Sequence, residues 1–172
     1  SKAALRILRN DERRSDTPGE RDFKRVLGGI LVQDRDADTE ERDTMELATG
    51  TIDEKAWGDV IFAWRVCKHV SSNAIVLARD ERLIGLGSGQ TSRVDAVDVA
   101  LMKARRAGHE VRGAVLASDG FFPFPDGVTH AAEAGITAIV QPGGSGKDPE
   151  VIAEADRLGV AMLFTDRRVF RH

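Results

Sequence analysis

From Gly113 onward the chain repeats one pattern: a short apolar run, a turn, an amphipathic stretch and another short apolar run. The runs are "AVLAS" from Ala114, "AIV" from Ala138 and "VAMLF" from Val160, each too short for a helix and apolar enough for a buried strand. Between them, Val128 to Ala134 and Pro149 to Leu158 carry helical spacing, and Gly159 supplies the left-handed residue that closes the second helix. Strands joined through helices run parallel, because a crossover restores the direction that a tight turn would reverse. Parallel strands are covered on both faces. The expectation is therefore an α/β domain with three α/β/α layers.

The segment upstream makes the sheet a mixed one. "AIVLAR" and "RLIGLG", separated by Asp80 and Glu81, read as an antiparallel hairpin. Before the hairpin, Thr51 and Glu54 have capping-box spacing, and Trp57, Val60, Ile61, Trp64 and Cys67 recur at helical intervals toward a core. After it, Ser92 caps a second helix with Asp95 at its third position and Val94, Val97, Leu101 and Ala104 on one face.

The first 50 residues are less regular. Ala3 to Leu8 reads as a short strand, and "RNDERRSDTPGERD" as a solvated loop. "FKRVLGGILVQD" reads as a strand with a flexible centre at Gly28 and Gly29, and "RDADTEERDTMELATG" as an acidic surface connection. Residues 1–50 are thus expected to be strand segments and a charged loop that pack on a core formed by residues 51–172.

Composition narrows the function classes. With 172 residues the chain suits one domain, and a net charge of −3 gives no electrostatic reason for nucleic acid as a partner. No apolar run approaches the roughly 18 residues of a membrane span. The single cysteine, Cys67, excludes an internal disulfide framework and suits a reducing cytoplasm. It also excludes a zinc deaminase site, whose chemistry needs a Pro-Cys-x-x-Cys pair beside a Glu base. The first residue is Ser rather than Met, which reads as processing or as a piece of something longer.

In sheets of this kind ligand sites gather where strands end and loops lead into helices. "GLGSGQTSR", Gly85 to Arg93, is such a loop, and it reads either as a plain connection or as an anion cradle at a helix N-terminus. In "KHVSSN", Lys68 and His69 complement a helix end, while Asn73 offers a donor and an acceptor to an amide-bearing ligand. "TDRRVFRH" puts Arg168 beside Phe170 after the last strand, a pairing that suits a phosphorylated heteroaromatic ligand. "SDGFFPFPDG", Ser118 to Gly127, sets three phenylalanines among prolines and glycines, and by composition reads as a loop tucked on the core, its path fixed by the prolines.

The stretches "SNAIVLARD", "GSGQTSRVDA", "ASDGFFPFPDGV", "AGITAIVQPGGS" and "RRVFRH", in this order and spacing, closely resemble the C-terminal end of the bifunctional purine biosynthesis proteins, which combine AICAR transformylase and IMP cyclohydrolase. The resemblance implies a cytidine-deaminase-like fold, carried by the family as two related repeats, of which this chain resembles the second. It implies formyl transfer from 10-formyltetrahydrofolate, as co-substrate, to the 5-amino group of AICAR. It also implies a homodimer, or a complex with a chain that carries the first repeat.

By the same resemblance Asn73 contacts AICAR near the reacting centre and is the candidate catalytic residue, through substrate orientation. Arg93, with Ser92 and Val94, lines the part of the pocket shared with the folate, and Phe121, Pro123, Phe124 and Asp126 form the folate-facing loop, with Phe121 also against AICAR. Arg168 and Phe170 contact the phosphate and base, and Ser72 and Asp119 lie where a potassium ion is held in some members. The family's Lys-His pair for proton transfer belongs to the first repeat and does not correspond to Lys68 and His69; the cyclohydrolase domain has no counterpart in these residues. Gly120 stands where alanine is usual, "GSGKD" replaces "GSIRD", and Asp166 sits where a small residue is frequent. The other reading is a binding or assembly module with this fold and no turnover.

Overall fold

The computed structural model describes residues 19–36 and 41–171. Contacts divide the chain into two units, Ser1–Thr39 and Glu40–His172. The strand expected at Ala3 to Leu8 lies outside the described residues.

In the first unit, β1 (Arg21–Val26) and β2 (Gly29–Asp34) pair antiparallel from Arg21↔Asp34 to Val26↔Gly29. The sequence reads as one strand with a flexible centre; instead the chain reverses at Leu27 and Gly28, where Gly28 takes φ +85°, which glycine adopts without steric cost. Apolar residues on both sides of the turn made two strands look like one.

The second unit holds a six-stranded sheet with the order β3-β8-β7-β6-β4-β5. Its strands are β3 (Glu46–Thr49), β4 (Ile75–Arg79), β5 (Arg82–Gly87), β6 (Val115–Ser118), β7 (Ala138–Gln141) and β8 (Ala161–Phe164). The three runs that follow Gly113 are parallel neighbours, while β4 runs antiparallel to both β6 and β5, and β3 antiparallel to β8. The mixed sheet is as expected. Strand β3 is not: it comes from the acidic stretch read as a surface connection, where four residues beside an already complete strand suffice for an edge.

Helices cover both faces. α1 (Glu54–Cys67) packs on β4, β6 and β7, and α2 (Arg93–Arg106) packs on β5 and β4. α3 (Asp126–Glu133) bridges α2 and α4 (Asp148–Leu158), which reaches β3 and β8. Side chains alternate along each strand. Ile75, Leu77, Leu116, Ile139 and Met162 join α2, α3 and α4 in one core. Val76, Ala78, Val115, Ala117, Ala138, Val140, Ala161 and Leu163 join α1 in the other. The layers are thus α/β/α with two separate apolar cores.

Local chemistry sets the helix ends. Asp53, not Thr51, caps α1, its Oδ1 accepting from the Ala56 N–H at 2.7 Å, while Glu54 turns away to Arg42 at 2.8 Å. Asp53 sits immediately before the first helical residue and so displaces the box read from the sequence. Ser92 caps α2 through the Asp95 N–H as expected, and Gly159 closes α4 at φ +69°. On α1, Val60, Trp64 and Cys67 are buried, whereas Trp57 and Ile61 are half-buried on the outer side, where the Arg42 guanidinium lies 4.6 Å from the Trp57 ring. Burial pushes the Cys67 thiol well above its usual range.

The Gly85 and Gly87 backbones are where α2 sits. A Cβ on Gly85 would stand 2.5 Å from the Ala100 carbonyl oxygen, and one on Gly87 only 2.0 Å from that of Ala96. These glycines serve close helix-on-strand packing. Among the described residues no helix is long and apolar enough to cross a membrane.

Candidate functional site

Because β4 is antiparallel to β6, the start of β4 lies beside the end of β6: Ile75 pairs with Ser118, and with Gly87 at the end of β5. Three chain segments therefore emerge at one edge of the sheet. These are the Ser71–Asn73 approach to β4, the Ser88–Ser92 connection into α2, and the loop from Asp119 to Pro125. This is the carboxyl edge of the parallel strands, where open α/β sheets bind ligands.

Hydrogen bonds lock the segments together. Asn73 and Gln90 exchange backbone bonds at 3.2 and 3.4 Å, and the Asn73 amide Nδ2 donates to the Gln90 carbonyl at 2.9 Å. Gly89 N–H donates to the Ser71 carbonyl at 2.8 Å. The glycine-rich connection therefore spends these backbone donors on its neighbour, and of its two readings the plain connection describes Gly85 to Gln90. The last described residues join in, with Val169 N–H donating to the Asp119 carbonyl at 3.1 Å and Ser72 N–H to the Arg171 carbonyl at 2.9 Å.

Asp119 is fully buried at the end of β6. Its Oδ1 accepts from the Arg93 Nη1 and, at 3.0 Å, from the Ala74 N–H; its Oδ2 accepts from the Ser72 hydroxyl. Arg93 is itself only 8% exposed at the first position of α2. Its Nε is buried with no hydrogen-bond partner among the described residues. Such a donor is costly unless a ligand or water meets it. Ser72 and Asp119, expected beside a potassium ion, serve each other and Arg93; with a guanidinium already on the carboxylate the set does not suit a second cation.

Around this pair lies a cavity of about 570 Å³ lined by Asn73, Thr91, Ser92, Arg93, Val94, Phe121, Pro123, Phe124, Asp126 and Phe170. Its size falls in the range of small-molecule sites. Of the residues expected to contact substrate or folate, Arg168 alone is not on this wall. It stands at the rim, its guanidinium carbon 5.0 Å from the Phe121 ring centre and 5.8 Å from that of Phe170. A cation over two aromatic rings beside an opening is suited to a flat, anionic ligand.

The aromatic loop divides its labour. Phe122 is fully buried and belongs to the core with Val97 and Val128, whereas Phe124 is 57% exposed on the cavity wall. The core reading of "SDGFFPFPDG" therefore describes Phe122, while Phe121 and Phe124 line the cavity. The loop is anchored by Gln141, a fully buried side chain at the end of β7 whose Oε1 accepts from the Phe122 N–H at 2.9 Å. Sequence reasoning missed Gln141 and Thr91. A lone amide closing the apolar run "AIVQ" was the available signal for Gln141; Thr91 offered none. Lys68 and His69 stand off this wall, and the His69 carbonyl accepts from Arg171.

Among solved structures, the chain is similar to the dCMP deaminase from the cyanophage S-TIM5. In apo form the identity is 18% and the TM-score 0.42, covering 58% of this chain and 88% of that one. In complex with dCMP and dUMP the values are 15% and 0.44, covering 65% and 98%. It is also similar to a diaminohydroxyphosphoribosylaminopyrimidine deaminase/5-amino-6-(5-phosphoribosylamino)uracil reductase from Thermotoga maritima, at 25% identity and a TM-score of 0.39, covering 60% of this chain but only 33% of that one. Residues 1–103, more than half of the 172, match the family described as the AICARFT/IMPCHase bienzyme. The chain belongs to that family.

Proposed function

We propose that the chain is the C-terminal portion, the second repeat, of an AICAR transformylase, acting in purine biosynthesis with 10-formyltetrahydrofolate as formyl donor. One observation carries the reading: the residues that the resemblance assigns to AICAR and folate, though spread from Asn73 to Phe170, converge on one cavity with Arg168 at its rim.

The reaction moves a formyl carbon from a folate nitrogen to the AICAR amine: a carbon–nitrogen bond forms to the amine, the bond to the folate nitrogen breaks, the amine loses a proton and the folate nitrogen gains one. That amine is a weak nucleophile because its lone pair is delocalised into the ring and carboxamide, so orientation supplies much of the acceleration. Asn73 orients the carboxamide. Arg93, with donors left over from Asp119, faces the oxygen on which negative charge develops. Phe121 and Phe124 hold the flat pteridine, Asp126 stops it at the polar end, and Arg168 with Phe170 holds the phosphate and base. Proton transfer falls to the Lys-His pair of the first repeat. That repeat comes from another chain or another part of the same protein, within a homodimer or a two-chain complex. A reducing cytoplasm suits this role and the buried Cys67 thiol.

The test is formylation of AICAR by this chain assembled with a chain that carries the first repeat. Folate-dependent product that Arg168→Ala abolishes is the expected result. No product from a correctly assembled wild-type complex would overturn it. Calorimetric binding of AICAR without turnover would then leave a binding module.

A further inference from the structure

Alternation along β7 puts Gln141 on the face of Ile139, so the strand carries an amide into the apolar core that holds Phe122 and Met162. The side chain is fully buried. An amide left unpaired there is costly, and both of its ends are used: Oε1 accepts from the Phe122 N–H at 2.9 Å and Nε2 donates to the Met162 sulfur at 3.3 Å. A thioether is a weak acceptor, so the bond to the loop is the stronger of the two. An apolar side chain would fill the same space without that cost. The amide therefore answers to the loop.

The loop depends on the amide in turn. Ser118 Oγ donates to the Gly120 carbonyl at 2.7 Å, and the Thr129 N–H donates to the Pro125 carbonyl at 3.0 Å. Between those two carbonyls the Phe122 N–H makes the one hydrogen bond among the described residues. Pro123 has no N–H to give. The Phe122 ring is buried in the core, but apolar burial is non-directional and holds a segment without fixing where along its path it sits. A hydrogen bond fixes both a length and an angle. On either side of Phe122 the chain turns outward, and Phe121, Pro123 and Phe124 all line the cavity.

We infer that Gln141 is a positioning residue for the cavity. From the end of β7 it fixes the main chain at Phe122, and so sets where the Phe121 and Phe124 rings stand on the wall against a flat ligand. Gln141 does not line the cavity itself and acts through the loop. That the flat ligand is a folate rests on the transformylase reading; the placement of the rings does not.

The experiment uses the full chain as wild type, Gln141→Leu, Gln141→Glu and Val151→Ala. Leucine fills the core but offers Phe122 no acceptor, whereas glutamate, neutral when buried, keeps a carbonyl oxygen for it. In a crystal structure of Gln141→Leu the Phe122 ring should stay buried while Phe121 and Phe124 leave their wild-type positions; both rings unmoved overturns the inference. Calorimetry with tetrahydrofolate should show affinity about 10-fold weaker for Gln141→Leu, as for two loosened ring contacts, and within about 2-fold of wild type for Gln141→Glu. Val151→Ala, which truncates the same core on α4, should lower the thermal midpoint and leave the affinity unchanged. Equal loss of affinity in both Gln141 variants, or none in either, overturns the positioning role, and so does a loss that merely follows the thermal midpoint across all three variants. Amide hydrogen exchange is read on wild type, where the Phe122 N–H should exchange only with global unfolding. Exchange there as fast as at Phe121 and Phe124 overturns the inference even if Gln141→Leu does not fold. Should wild type not bind tetrahydrofolate, the functional proposal fails, while the crystal structure and the exchange still decide on Gln141.

Discussion

Arg93 Nη1 and Asp119 Oδ1 form a buried ion pair that ties the first residue of α2 to the end of β6, directly beneath the candidate pocket. The pair shares its carboxylate with the Ala74 N–H and the Ser72 hydroxyl, so one fully buried side chain holds three segments of the site together. Removing it strands a guanidinium that water barely reaches. Asp119→Ala should therefore cost about 3–5 kcal/mol of stability, read from urea unfolding. A loss below about 1 kcal/mol would mean that water or another acceptor reaches the stranded guanidinium.

Neighbouring phenylalanines should behave oppositely. Phe122 is fully buried, and Phe122→Ala should cost about 3–5 kcal/mol. Phe124 is on the rim, and Phe124→Ala should shift stability by no more than about 0.5 kcal/mol while clearly weakening calorimetric binding of tetrahydrofolate. Equal losses of stability from the two would return the whole loop to the core.

Gly87 tests the packing of α2. The atom a methyl would strike is the Ala96 carbonyl oxygen, part of the helix backbone and unable to rotate away. Gly87→Ala should cost about 3 kcal/mol in unfolding free energy, the upper end for overpacking. Gly146→Ala, where nothing lies within 4 Å and φ is not positive, is the control and should change stability little.

Glu154 gives a pH dependence. Hydrogen bonds from Arg157 and then from Thr129 hold its carboxyl down to about 2, against 4.5 for a free glutamate. A carboxylate depressed in the folded state stabilises fully above the unfolded value and loses that contribution as pH falls toward the folded one. In urea titrations Glu154→Gln should be less stable than wild type near neutral pH, with the gap narrowing below about 4.5 and closing toward about 2. A gap independent of pH would show that ionisation plays no part.

Periodicity made the parallel strands, the hairpin and α2 legible, because burial on both faces leaves unbroken apolar runs such as Val115 to Ala117 and because Ser92 and Gly159 mark helix ends by known chemistry. What it did not reach were decisions made by partners distant in sequence. Edge strand β3 exists because β8 offers it a ladder, and nothing in "MELAT" announces that. Asp53 took the cap from Thr51 by adjacency alone. At the site, the resemblance named the wall residues. It did not reveal the arginine that the fold sets on Asp119, nor Gln141, whose role appears only when β7 is laid beside the Phe122 loop.

The glycines that seat α2 on β5 have a mechanical consequence. A helix resting directly on strand backbone has no compressible side chains beneath it, so it can neither slide nor settle when something enters the pocket. Ser92 and Arg93, at its leading end, are then a stationary floor, and whatever adjustment a ligand asks for must come from the aromatic rim. A ligand at this edge would meet a rigid bed beneath the exposed side chains of Phe124, Arg168 and Phe170.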